Sequence, residues 1–153
     1  MIHLLLFFLI AIVNPSTQDK YYIDDYWEGL ERSAEEHKPI FLLFTGRQCV
    51  NLKRINKHFE SDKAIVRKLK EEFIPVFLFV DDPTPLKEIM TVDINGIQRT
   101  IRTEGNYNSY LELEKYNQNV VPFMVIINAN EQILKGPKMG HFTNKELVQF
   151  ISL

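Results

Sequence analysis

Residues 40–53 read IFLLFTGRQCVNLK. Ile40 to Phe44 are consecutive apolar residues with the length of a strand buried on both faces. Thr45 and Gly46 turn the chain, and its one cysteine follows at Cys49. Leu52, Ile55 and Phe59 then recur at helical spacing. A strand that ends in a short loop and delivers a cysteine to the first turn of a helix is a reactive-thiol geometry. The unpaired amides and the positive end of the helix dipole favour thiolate over thiol. Arg47, Lys53 and Arg54 add positive charge nearby in the sequence. The competing reading of Cys49 is simple packing, because cysteine is among the residue types most often buried.

The chain around this run has the composition of one soluble folded domain: 153 residues, 45% hydrophobic, 25% charged, with 6 Gly and 7 Pro. That length buries a core without help from disulfides. The net charge of −2 comes from 18 basic and 20 acidic residues with no long run of either sign, which argues against nucleic acid or an anionic membrane surface as partner. His3, His37, His58 and His141 lack metal-ligand spacing, and there is no glycine-rich phosphate loop. No metal and no cofactor is therefore expected.

Leu4 to Val13, LLLFFLIAIV, is too short to span a bilayer and has the length of a secretory signal core. Residues 1–16 are expected to be a signal peptide cleaved after Ser16, with an uncleaved anchor as the alternative. Residues 20–153 are expected to form a single domain. Export would place the protein in an oxidising compartment. A lone cysteine there is either buried and inert or available to another molecule.

The remaining pattern predicts the elements around the cysteine. Asp24 to Glu36 reads as a helix capped by Asp24 or Asp25, with Trp27, Leu30 and Ala34 on its apolar face. Ser61 reads as the N-cap of a further helix that turns Ile65, Leu69 and Phe73 inward. Phe73 to Val80 is a second buried strand. Asp81 to Leu86 is a loop, and Asp81 and Asp82, which could serve a cation or acid-base chemistry, read as solvated for want of a third ligand. Asn95-Gly96 marks a hairpin within 91–101. Asn108 to Asn117 reads as a helix using Tyr110, Leu113 and Tyr116, Val120 to Asn128 contains a strand, and Ile133 to Lys135 returns beside it. Thr143 and Glu146 form a capping box for a last helix that buries Leu147, Phe150 and Ile151. The order predicts an α/β fold: a mixed central β-sheet flanked by helices, with a β-hairpin inserted.

The segment EEHKPIFLLFTGRQCVNLK (35–53), with Trp27 and Leu30 before it, resembles a thioredoxin-like domain. It is most similar to the C-terminal periplasmic domain of DsbD-type thiol:disulfide interchange proteins. Further likeness lies in residues 60–82, 99–134 and the late GHFT at 140–143. The resemblance implies a thioredoxin-like fold whose hairpin precedes the helix leading to a cis-proline loop at Val121-Pro122. It implies Cys49 as the catalytic nucleophile and Gln48, Val50, Val121 and Pro122 as substrate contacts. It also implies thiol-disulfide interchange outside the cytoplasm, in the periplasm or its equivalent. The counterpart would be a protein or peptide thiol or disulfide client, a small thiol, or a membrane redox partner. By residue statistics alone, Pro122 would be an ordinary trans turn residue.

Three departures from the family pattern bear on chemistry. The pattern Cys-Val-Asn-Cys-Lys stands here as Cys49-Val50-Asn51-Leu52-Lys53, so the resolving thiol is missing. Leu43 occupies the place of a buried acid, and Gln48 that of an aromatic residue. A thiolate that attacks a disulfide gives a mixed disulfide, which a second nearby thiol normally resolves. Leu52 has no nucleophile and reads as core filling, so dithiol turnover is not expected. Three readings stay open: mixed-disulfide chemistry through Cys49, a redox-inactive module that binds a protein or peptide, and a degenerate domain serving an assembly that supplies the missing thiol.

Overall fold

The structure is a computed structural model that describes residues 20–48 and 50–152, apart from the side chains of Asn51, Leu52, His58 and Glu60. The expected signal segment 1–16 and Cys49 lie outside the described residues, as does the side chain of Leu52. In chain order the elements are α1 (Tyr26–Glu36), β1 (Ile40–Thr45), α2 (Val50–Ser61), α3 (Lys63–Glu72), β2 (Ile74–Phe79), β3 (Pro85–Ile94), β4 (Ile97–Thr103), α4 (Glu104–Tyr116), β5 (Phe123–Ile127), β6 (Ile133–Met139) and α5 (Asn144–Phe150).

The three apolar runs become the buried strands of one sheet in the order β2-β1-β5-β6. β1 runs parallel to β2 and antiparallel to β5, and β5 runs antiparallel to β6, so the sheet is mixed. Successive side chains alternate between its faces. Phe41, Leu43, Phe77, Phe79, Met124 and Ile126 face a core closed by residues of α2, α3 and α5. Ile40, Leu42, Phe44, Val76, Leu78, Phe123 and Val125 face a second core closed by Tyr26 of α1 and Leu111 and Tyr116 of α4. With helices on both faces, even the central strands can be apolar throughout.

Helix ends follow the local chemistry. Asp25 caps α1, its carboxylate accepting from the N–H groups of Trp27 and Glu28. Thr143 and Glu146 form the expected capping box at α5. Ser61, however, is the last residue of α2, and Asp62 caps α3 by accepting from Ala64 and Ile65. Asn95 and Gly96 both have positive φ, as a tight hairpin turn demands, and join β3 to β4 in a separate two-stranded sheet.

The apolar face of α1 follows its sequence reading only at Leu30, which packs against the second core. The helix buries Tyr26, Gly29 and Ser33, while Trp27 is 53% exposed and Ala34 is exposed. Gly29 decides this: a Cβ there would lie 2.5 Å from Val76 Cγ2, so the helix packs on the sheet where it has no side chain. Ser33 turns its hydroxyl onto the Lys38 carbonyl, and Trp27 donates its indole N–H to the Tyr107 hydroxyl at 2.9 Å. α4 starts at Glu104, earlier than its sparse apolar pattern suggests, because Thr103 caps it. β6 runs on to Met139 as an edge strand whose exposed residues carry no apolar alternation.

Candidate functional site

Strand register brings three connections to one end of the sheet. Thr45 pairs with Phe79 at the carboxyl ends of the parallel strands, and Phe44 pairs with Phe123 at the start of β5. The chain leaving β1 toward Cys49, the turn after β2 and the loop entering β5 at Val121-Pro122 therefore emerge side by side. The carboxyl ends of parallel strands are where open α/β sheets form their binding crevices.

Asp81 and Asp82 build the turn after β1. One oxygen of the Asp81 carboxylate accepts the Arg47 N–H at 2.7 Å, and the other accepts the Gln48 N–H at 3.2 Å. Asp82 accepts from the Arg47 guanidinium at 2.5 Å and from the Thr84 N–H at 2.9 Å. Burial opposes its ionisation, yet the Thr84 and Arg47 contacts prevail and hold its carboxyl at about 2. The Arg47 guanidinium also lies 4.3 Å from the centre of the Phe79 ring.

Asp81 and Asp82 lie in the expected loop, with Asp81 exposed, and they have a structural role the sequence did not show: they clamp residues 47–48 across a gap of more than thirty positions in the chain. Arg47, one of the three cations near Cys49 in the sequence, is ion-paired with Asp82, whereas Lys53 and Arg54 are exposed and make no ion pair among the described residues. Among the described residues, no group of three or more His, Cys, Asp or Glu could hold a metal ion.

The first turns of α4 hold this acidic turn in place. The Gly105 N–H donates to the Asp82 carbonyl at 3.0 Å, and the Asn108 amide donates to the Phe79 carbonyl at 3.0 Å. A Cβ on Gly105 would lie 2.6 Å from the Asp82 nitrogen and 2.8 Å from the Val80 oxygen. Only a glycine lets the helix approach so closely.

The far end of α4 leads into the second half of the site. Asn117 ends the helix in the left-handed region, and the Val121-Pro122 peptide bond is cis. Pro122 is buried, and its carbonyl accepts the Gly140 N–H at 3.0 Å. Val121 is half-buried, and among the described residues its own N–H and C=O are not hydrogen-bonded. Glu112 lies beneath this loop, 4% exposed, with Oε1 buried and unpartnered. Burial pushes its carboxyl up to about 7, opposed by the Val120 N–H.

Of the expected site residues, Gln48 is exposed on the clamped turn, and Val50, 66% exposed, opens α2. Val121 and Pro122 form the neighbouring loop, and Cys49 falls outside the described residues. Leu43 is buried in the apolar core with Ile55 and Phe59, which leaves no proton acceptor at that place. The sequence reading missed the positioning roles of Asp81, Asp82 and Gly105 and the buried acid Glu112. The Asp-Asp pair directly after a strand was the one available signal.

The sequence profile of a family described as thioredoxin-like matches residues 21–129. The chain belongs to the thioredoxin-like family. Its fold is similar to that of a thioredoxin from Thermus thermophilus, with 17% identity and a TM-score of 0.57 over 85% of this chain and 82% of that one. It is also similar to the DsbH oxidoreductase, with 23% identity and a TM-score of 0.51 over 77% of this chain and 74% of that one. Identities this low speak for the fold alone. No curated protein matches the chain. This thioredoxin-like chain carries Leu43, Gln48 and Leu52 in the segment from β1 to the first turn of α2. Among the described residues, no helix is long and apolar enough to cross a membrane.

Proposed function

We propose that this thioredoxin-like protein is an exported, DsbD-like thiol-disulfide interchange protein of the cell envelope that works through Cys49 alone. The observation that carries this reading is the Phe44–Phe123 register, which sets the chain running into Cys49 beside the Val121-Pro122 loop. A client peptide would lie along Val121, whose backbone N–H and C=O make no hydrogen bond among the described residues, and against Gln48 and Val50. The Cys49 thiolate attacks one sulfur of the client disulfide, forms a mixed disulfide and releases the other sulfur as thiolate. With Leu52 in place of the resolving cysteine, release requires an external thiol: a small thiol, a second client thiol or a membrane redox partner.

Leu43 in its apolar surroundings favours a second reading, in which the same loop serves non-covalent recognition and Cys49 takes no part. Glutathione disulfide separates the two. The folded chain is expected to gain one glutathionyl group, absent in Cys49→Ser, and to keep it until external thiol is added. In Leu52→Cys the introduced thiol is expected to expel glutathione without external thiol. A folded chain that gains no adduct contradicts the single-cysteine mechanism and leaves the binding module.

A further inference from the structure

A cavity of about 770 Å³ opens between the segment before α1 and helices α2 and α3. Its volume falls in the range of small-molecule sites, on the order of 300–1,000 Å³. Tyr21, Tyr22 and Val66 line it, and they are the partly buried hydrophobic residues packed against the core of α2, α3 and α5. That core is therefore incompletely covered at this place, with aromatic and aliphatic surface left open to a ligand.

The rim has one dominant sign. Lys63, Arg67 and Lys70 follow one another along α3 at helical spacing, so their side chains share a face, and among the described residues Glu71 is the one acid on the α3 side of the cavity. Lys63 and Arg67 are exposed and make no hydrogen bond or ion pair among the described residues. On the same helix Lys68 pairs with Glu72 at 2.7 Å, whereas Arg67, at the same spacing from Glu71, does not pair with it. Like charges spaced this way repel, and an anion between them would relieve the repulsion.

We propose that this cavity binds a small amphiphilic carboxylate, its alkyl or aryl chain laid on Tyr21, Tyr22 and Val66 and its head group between Lys63 and Arg67. The apolar floor supplies the hydrophobic contact, and the unpaired cations select the sign of the head group. The site holds its ligand without covalent chemistry.

The test is a titration of the full chain with sodium decanoate below its micelle concentration, followed by amide NMR shifts. Decyltrimethylammonium and acetate serve as the matched tail and head controls. Saturable one-to-one binding is expected, with shifts centred on Tyr21, Tyr22 and Val66 and weak or no response to either control. The paired charge reversals Lys63→Glu and Arg67→Glu, both at exposed positions, are expected to weaken binding at least about tenfold. Equal binding of decanoate and decyltrimethylammonium overturns the proposal, as does the absence of saturation. Adhesion only to phosphatidylglycerol vesicles also overturns it, assigning the basic rim to a lipid surface.

Discussion

Glu112 is a buried carboxyl whose titration couples the chain's stability to pH. Its carboxyl, ordinarily near 4.5, stands at about 7 because it is buried, with the Val120 N–H pulling the other way. The native state therefore holds a proton that the unfolded chain has already lost between about pH 4.5 and 7. Stability falls as pH rises through that window and stays reduced above it. Glu112→Gln keeps an acceptor for Val120 and removes the titration. Thermal unfolding of this variant is expected to lose the decline between about pH 4.5 and 7, with a gain of up to about 3 kcal/mol over the parent at pH 8 and little change at pH 4. An unchanged pH profile would show that the carboxyl is not buried uncharged. Glu112 could not be picked out from sequence, since one glutamate in a helix reads as surface. Asp81 and Asp82 were visible as a pair, but their partner Arg47 lies on a different connection, and only the strand register reveals the contact.

Secondary-structure elements were most legible where one local rule decides them. Ile40–Thr45, Ile74–Phe79 and Phe123–Ile127 are continuous apolar runs, and such runs are strands when helices cover both faces. The Thr143–Glu146 box was equally plain. Thr143→Ala is expected to cost about 1 kcal/mol in chemical denaturation while leaving the sheet-end site intact. The face of α1 was misread because a glycine carries no hydrophobic signal, although Gly29 permits the closest approach to Val76. Gly105 is a parallel case with functional weight. On propensity alone Gly105→Ala would favour α4 by about 1 kcal/mol. The new Cβ would instead meet Asp82 and Val80 backbone at 2.6 and 2.8 Å, and backbone cannot swing aside as a side chain can. The expected outcome is a net loss of about 1–3 kcal/mol, with amide NMR shifts at Arg47 and Gln48 as the acidic turn is displaced. Stabilisation without such shifts would contradict the close contact.

For the molecule as a whole, the fold class was readable from the order of elements, and membership of the thioredoxin-like family agrees with it. The meeting of the β1, β2 and β5 connections follows from the mixed topology, in which β5 runs opposite to its neighbour β1. Residues 48, 50, 121 and 122, singled out by resemblance, lie on connections that the strand register gathers at one end of the sheet. The supports at Asp81, Asp82 and Gly105 were not legible in the sequence, because they join segments far apart in the chain. The described residues set a clamped turn and the Val121-Pro122 loop at one end of the sheet, and the sequence carries a single cysteine with leucine at positions 43 and 52. The account stands or falls on the state of that thiol. The most direct measurement is the rate of Cys49 alkylation by iodoacetamide on the folded chain as a function of pH. The account predicts half-maximal reactivity well below about 8.5, the value of a free thiol. A thiol that reacts only once the chain is unfolded would contradict it.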